Sequence, residues 1–328
     1  MSRDIRVLQY GLGPIGSAIA RHVVHRPGLC LVGAVDVDPA KVGVDIGRVI
    51  DLGRPLDRPV TGRLAQIATE VDVVTHATNS YFSAFKGQII EILEAGLDVV
   101  STAEELSFPW LAHPQEAVEV DAVAKQAGKT VLGTGVNPGF IMDYLPLCLS
   151  AICQRVDHVD VTRVINASAR RGPFQAKIGC GMTVKDFADR MAAGRMGHVG
   201  LSESMDMVSD TLGRSLTHRE YDVEPLVANR VIRTDYVEVQ PGRVMGLRQV
   251  ARGHTAEGEF LRFTFIASLD VEDDLDTVRI SGEPDLEIKL KGAHGDLATV
   301  AIAVNAIRRV REAPAGLVTM RDLPIVTA

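Results

Sequence analysis

The six residues GLGPIG, positions 11–16, limit what this chain can fold into more than any other segment. They stand between an apolar run, IRVLQY, and a stretch with helical apolar spacing, SAIARHVVH. Gly11, Gly13 and Gly16 have the spacing that turns a strand directly into a helix. The first glycine permits the tight turn, the second lets backbone approach a pyrophosphate, and the third lets helix and strand pack closely. The helix N-terminus then supplies N–H donors to the phosphates. Gly11, Gly13, Pro14, Ile15 and Gly16 are therefore the expected cradle of a dinucleotide. The spacing gains weight from Asp36, which ends the next apolar run, GAVD, about 20 residues on. An acid there accepts a hydrogen bond from the adenine ribose 2′-OH and repels a 2′-phosphate. The nearby VDPAK offers Lys41 but no arginine directly after the acid. NAD or NADP is the expected cofactor, with NAD favoured.

Apolar runs alternate with helix-period stretches through the first 135 residues, from LCLVGAVDVD through VDVVTHAT, GQIIEILEAGL and DVVST to EAVEVDAVAKQAG and TVLGTG. That alternation describes βαβ units and a parallel sheet covered by helices. After about residue 136 the pattern shifts to longer strands, residues 155–166 and VRISGEPDLEIKLKG, with a helix near TVKDFADRMAAG. DLATVAIAVNAIRRVREA then has a strong helical period and ends before Pro314. The expected architecture is α/β: a Rossmann-type parallel sheet domain over residues 1–136, completed by a C-terminal helix at about 296–328, and a second α+β domain over 137–295, for substrate and dimerisation.

The chain has 328 residues, 46% of them hydrophobic, and lacks the ~18 uninterrupted apolar residues a membrane span needs. Its start runs into a strand without a secretory signal, so a soluble, cytoplasmic protein is expected. The four cysteines form no CxxC pair and read as reduced core thiols, with no metal site. A formal charge of −7 argues against nucleic acid as a partner.

In an open parallel sheet, ligands bind beyond the carboxyl ends of the strands. VVTHATNS ends a strand in small and hydroxyl residues, which suits Ala77, Thr78 and Asn79 for the nicotinamide half of the cofactor, with His76 read as structural. The next strand, DVVST, ends in two acids, Glu104 and Glu105. Neighbours on an extended chain point to opposite sides, so at most one of the pair is expected to face the nicotinamide, the other being structural or solvated. Asn137, in the sharply turned VNPG loop, suits either the nicotinamide carboxamide or a substrate. Arg163, Arg170, Arg171 and Lys177 are the densest basic stretch of the second domain, either a clamp for a substrate carboxylate, with Arg163 the candidate, or a solvated surface.

EELSFPW, VLGTGVNPGFIMD and GHVGLSES, together with GLGPIG, resemble the 2,4-diaminopentanoate dehydrogenase family and the related native amine dehydrogenases, which share the fold of dihydrodipicolinate reductase. The resemblance runs from residue 5 to about residue 210 and resumes in KGAHGDLATVAIAVNAI. It implies NAD(P)-dependent, reversible oxidative deamination of a primary amine, either 2,4-diaminopentanoate-like or a simple short-chain or cyclic one, to a ketone or aldehyde plus ammonia. It further implies Glu104 as the catalytic carboxylate, Asn137 and His198 as pocket residues, and a homodimer paired through the sheet of the second domain. The adjacent histidine pair expected of dihydrodipicolinate reductase itself is absent.

A glutamate suits that chemistry on its own terms. An amine is protonated at neutral pH and cannot give up hydride as ammonium, so the site needs a base and then negative charge beside the forming iminium. Alcohol oxidation favours a lysine or tyrosine near the hydroxyl, and no YxxxK motif occurs. A hydroxy- or semialdehyde dehydrogenase on this scaffold and a non-catalytic NAD(H)-sensing protein are the alternatives. For His198 the competing role is that of a helix-start histidine, with SES capping the following helix.

Overall fold

Strand β1, Ile5–Tyr10, passes from half-buried to fully buried along its length, so the sheet it enters is covered on both faces. The structure, a computed structural model, describes residues 3–67 and 70–328. It divides into two units, one made of the residues up to Phe140 with Gly295–Ala328, the other of Ile141–His294.

In the first unit β1 is followed by α1 (Pro14–His25), β2 (Leu29–Val35), the short α2 (Ile46–Val49), β3 (Val73–His76), α3 (Phe82–Glu94), β4 (Asp98–Ser101), α4 (Pro114–Ala127) and β5 (Thr130–Gly133). In the second come α5 (Tyr144–Ser150), β6 (Arg155–Asn166), α6 (Gly172–Lys177), α7 (Val184–Ala192), α8 (Leu201–Thr211), β7 (His218–Val227), β8 (Ile232–Arg233), β9 (Glu238–Val239), β10 (Val244–Thr255), β11 (Gly258–Ser268), β12 (Leu275–Glu283) and β13 (Leu286–Lys291). The chain returns to the first unit with α9 (Gly295–Glu312) and β14 (Gly316–Val318).

The first sheet is parallel throughout and runs β14-β5-β4-β3-β1-β2. The strand order reverses at β1, and the crevice beside it, between the carboxyl ends of β1 and β3, is where such a sheet holds a ligand. Helix α3 shows what fixes the layers. Phe82, Phe85, Ile89, Ile92 and Leu93 recur at helical spacing, and all are wholly buried. Each contributes roughly 1.5–3 kcal/mol by leaving water. Two details depart from the sequence expectation. The helix near the C-terminus stops at Glu312, and GLV beyond Pro314 adds a sixth strand beside β5. The cysteines are not core residues, since Cys30 and Cys148 are exposed and Cys153 and Cys180 half-buried.

The second unit holds a mixed sheet, β13-β12-β6-β11-β10-β7, and a separate β8-β9 pair. VRISGEPDLEIKLKG is a hairpin of β12 and β13. Along β6 the residues Val159, Val161, Arg163 and Ile165 are buried on one face. The opposite face carries Thr162, with Thr264 and Thr277 beside it on β11 and β12 and Val250 beyond on β10. Its margins are charged, and there Arg248 pairs with Glu224, Arg252 with Asp222, and Arg279 with Glu287.

Candidate active site

The glycine turn is built as its spacing predicts. Gly11 has φ 86° and lies so close to the next loop that a Cβ there would run into the carbonyl of Ala77 and the methyl of Thr78. A Cβ on Gly16 would strike the carbonyl oxygen of Gly11. Gly13 is the opposite case, with no atom within 4 Å of where a Cβ would stand. It caps α1, with Pro14 in the first turn, so open space lies in front of a helix N-terminus whose amides are free of side-chain caps. Close packing at the first and third glycines with open space at the second is the shape a pyrophosphate requires, and a dinucleotide fits it.

Asp36 follows β2 directly and is 9% exposed. Its carboxylate is fixed by Leu12 N–H at 2.7 Å, Asp38 N–H at 2.9 Å and Lys41 Nζ at 3.2 Å. Burial works against its charge, but these donors outweigh burial and hold it below the usual carboxylate range. The first bond ties Asp36 to the glycine turn, so the ribose-side acid and the phosphate cradle form one piece. Lys41, which also lies 3.5 Å from Asp38, offsets part of the negative charge facing a 2′-substituent.

The next two loops stand beside this turn. Ala77 is half-buried, and Thr78 and Asn79 are exposed. Asn79 Oδ1 accepts from Tyr81 N–H at 3.0 Å at the entry to α3, which makes it a turn residue as well as a candidate ligand. Glu104 and Glu105 are not on an extended chain. They open a 3₁₀ turn, Glu104–Leu106, where successive side chains diverge by about a third of a circle. The two acids still separate. Glu105 accepts from Phe82 N–H at 2.5 Å, an orphan donor at the start of α3, and its carboxylate lies 3.0 Å from His113 Nε2. It is occupied in holding α3. Glu104 is half-buried, and its carbonyl accepts from Ser107 Oγ at 2.8 Å.

Asn137 is 8% exposed, in a loop pinned by Val136 N–H to Thr299 Oγ1 on α9 at 3.3 Å. Gly139, at φ 117°, turns back onto the backbone of Gly135. At the start of this loop, Thr134 directly follows β5, with its hydroxyl buried and without a partner among the described residues.

In the second unit, His198 lies before α8 and is not a capping residue. Gly200 caps that helix, and Ser202 and Ser204 lie inside it. The imidazole stacks on Phe265 with centroids 4.7 Å apart, and Gln249 Oε1 accepts from the His198 backbone N–H at 2.6 Å. Arg163 corrects the sequence expectation. It sits on the buried face of β6, 1% exposed, 3.6 Å from Asp276 on the adjacent strand, and donates to Ala293 O at 2.9 Å. Burial pushes Asp276 up to about 6, against the pull of Arg163. Arg163 is thus committed inside its own unit and is no clamp. Arg170 likewise donates to Asp274 at 2.9 Å and lies against the His294 ring, whereas Lys177 is exposed.

Sequence reading missed several side chains that hold these candidates. Gln88 and Ser101 bind the ring of His76, Gln249 and Phe265 hold His198, and Thr134 has a buried hydroxyl with no partner among the described residues. Ser101 and Thr134 carried a readable signal, being hydroxyls at the carboxyl ends of parallel strands. Gln88, Gln249 and Phe265 carried none, because their partners are distant in sequence.

Residues 140–328 match the family model described as the 2,4-diaminopentanoate dehydrogenase C-terminal domain, and residues 5–102 match that of the dihydrodipicolinate reductase N-terminus. The chain is 31% identical to a 2,4-diaminopentanoate dehydrogenase from Acetoanaerobium sticklandii, over 99% of this chain and 94% of that one. It is 25% identical to an amine dehydrogenase from Streptomyces virginiae, over 98% and 96% of the two chains. The solved structure of amine dehydrogenase from Mycobacterium smegmatis matches it with a TM-score of 0.88 at 27% identity, covering 99% of this chain and 97% of that one.

Proposed function

Since the chain belongs to the 2,4-diaminopentanoate dehydrogenase family and is an NAD(P)-dependent oxidoreductase, we propose that it catalyses the reversible oxidative deamination of a primary amine to a ketone or aldehyde and ammonia. The observation that carries this reading is the division of labour between the two acids after β4. Glu105 holds the start of α3, and Glu104 stands half-buried in the turn that follows β4 at the ligand end of the sheet, the place the chemistry requires.

The bound nicotinamide supplies the hydride acceptor. Gly11, Gly13 and Gly16 shape the phosphate turn, Asp36 takes the ribose hydroxyl, and Thr78, Asn79 and Asn137 are assigned to the nicotinamide end. Glu104 removes the proton from the substrate ammonium, so that the neutral amine can release hydride from its carbon. The cation formed is an iminium, and carboxylate charge nearby stabilises it. Once that first proton has passed to solvent, Glu104 takes a proton from the water that adds to the iminium carbon and returns it to the carbinolamine nitrogen, which leaves as ammonia while the hydroxyl loses its proton and becomes the carbonyl. His198, fixed by Phe265 and Gln249, is assigned to orient substrate.

Asp36 favours NAD over NADP, and Lys41 moderates that preference. Because Arg163 and Arg170 are paired within their own unit, a simple short-chain or cyclic amine is better supported than a diamino acid, whose carboxylate would call on Lys177 of the same basic stretch. Two copies are proposed to pair through the threonine-centred face of the second sheet. The test is a spectrophotometric panel of amines, ketones with ammonia, and alcohols, each run with NAD and with NADP. Amine-dependent reduction of the cofactor with release of ammonia is expected. Turnover confined to alcohols, or none on any class, would overturn the reading.

A further inference from the structure

His76 ends β3 with its ring wholly buried, 5.7 Å from the Tyr10 ring and 6.1 Å from that of Phe85. A core position of this kind suits a leucine or phenylalanine, and burying an imidazole there costs free energy unless both nitrogens are bonded. Both are. Nδ1 lies 2.9 Å from Ser101 Oγ, and Nε2 lies 2.8 Å from Gln88 Oε1 and 3.0 Å from Thr78 Oγ1.

The partners fix the protons. Ser101 Oγ accepts from the backbone N–H of Ala103 at 3.1 Å, and its single hydrogen is available for His76 Nδ1. Gln88 Oε1 can only accept, so it receives Nε2–H of His76 and, at 2.7 Å, the hydroxyl of Thr78. The imidazole is therefore neutral with its hydrogen on Nε2, in keeping with burial lowering its pKa to about 4.

The two ends of this chain of bonds are what give it meaning. One end is Thr78, exposed beside the glycine turn and close against Gly11. The other is the amide of Ala103, the residue directly before Glu104. Sheet pairing sets Ser101 beside His76, and Thr102 N–H donates to His76 O at 2.9 Å, but β4 ends at Ser101. The first amide of the turn proper is held by the Ser101 hydroxyl, and that hydroxyl is aimed by His76.

We propose that His76, acting through Ser101, is a positioning residue that sets the Glu104 turn and links it to the cofactor-side hydroxyl of Thr78. This rests on the role proposed for Glu104, so the test separates the two. Ser101→Ala and His76→Gln remove the bond to Nδ1, while His76→Asn places an amide oxygen where Nδ1 accepted. Ser101→Ala and His76→Gln are expected to lower kcat by about 10- to 100-fold, the usual cost of a base displaced by about an ångström, with NAD affinity changed less than about threefold. His76→Asn should recover most of that loss. In a Glu104→Gln background the same changes should add almost nothing. Independently of turnover, ¹⁵N NMR of histidine-labelled, cofactor-free protein should show a neutral Nε2–H ring from pH 8 down to 5. A ring protonated at pH 6, or carrying its hydrogen on Nδ1, would overturn the proposal. So would a Ser101→Ala variant with lowered Tm but undiminished kcat, and that variant carries the test if the His76 variants do not fold. Should Glu104→Gln itself turn over normally, the proposed function fails, while the NMR result still decides the bond network.

Discussion

Asp36 and His76 show how single residues were and were not legible. Asp36 was readable because its place after a strand, a fixed distance from the glycines, is a covalent fact. Removing its charge by Asp36→Ala should weaken NAD more than NADP and narrow the ratio of the two dissociation constants, as measured by titration of protein fluorescence. An unchanged ratio would contradict its assigned contact with the ribose. His76 was correctly read as structural in position, but its links to Ser101 and Gln88 depend on folding. Its pKa in the fold, about 4, lies below the ~6.5 of an unfolded histidine, so the unfolded chain binds a proton first. The stability held in its neutral form is therefore complete above about pH 6.5 and is lost as pH falls toward 4, roughly 2 kcal/mol of it by pH 5. Urea unfolding at pH 7.5 and 5.0 should show that difference shrink in His76→Gln. Equal pH dependence in the two proteins would refute it. Arg163 was misread although its parity was plain. It shares the alternation of Val159, Val161 and Ile165, and charge alone suggested a surface or a ligand.

At the scale of elements, periodicity identified α3 and its buried face, and the structure adds what starts it. Tyr81 offers no side-chain cap to α3, and the missing acceptor comes from Glu105, 23 residues along the chain. Glu105→Ala, which removes the acceptor, should cost about 0.5–2 kcal/mol, the range for a lost cap, with kcat preserved within a few-fold. Within the same helix, Ile89→Ala should cost roughly 2–5 kcal/mol by opening a cavity against fully buried neighbours. Chemical denaturation checks both, and a loss of less than about 1 kcal/mol for Ile89→Ala would mean that this layer repacks freely. Strand β14 escaped sequence reading for a physical reason. Three residues are too short for a period, and GLV becomes a strand only because the edge of β5 is there to accept it.

For the whole molecule, the glycine turn and the βαβ alternation were enough to foresee a parallel sheet, and the longer strands after residue 136 an α+β second domain, because each element signals its own period; the mixed order of its sheet came from the structure. What the second sheet faces is not written in any one strand. Its threonine-centred face, whose marginal charges are satisfied by one another, is proposed to meet a second copy, so light scattering should give twice the chain mass. Thr264→Arg, which sets a long cation at the centre of that face, should give the single-chain mass, and a wild-type monomer at micromolar concentration would contradict the pairing. The central claim is that one of two neighbouring acids does the chemistry while the other holds a helix. It is tested most directly by kcat for amine oxidation in Glu104→Gln beside Glu105→Gln, with NAD affinity measured in both. The account predicts a fall of about 10²–10⁴-fold for Glu104→Gln at nearly unchanged NAD affinity, the range for a positioned acid–base group. Full-rate deamination by Glu104→Gln would contradict it.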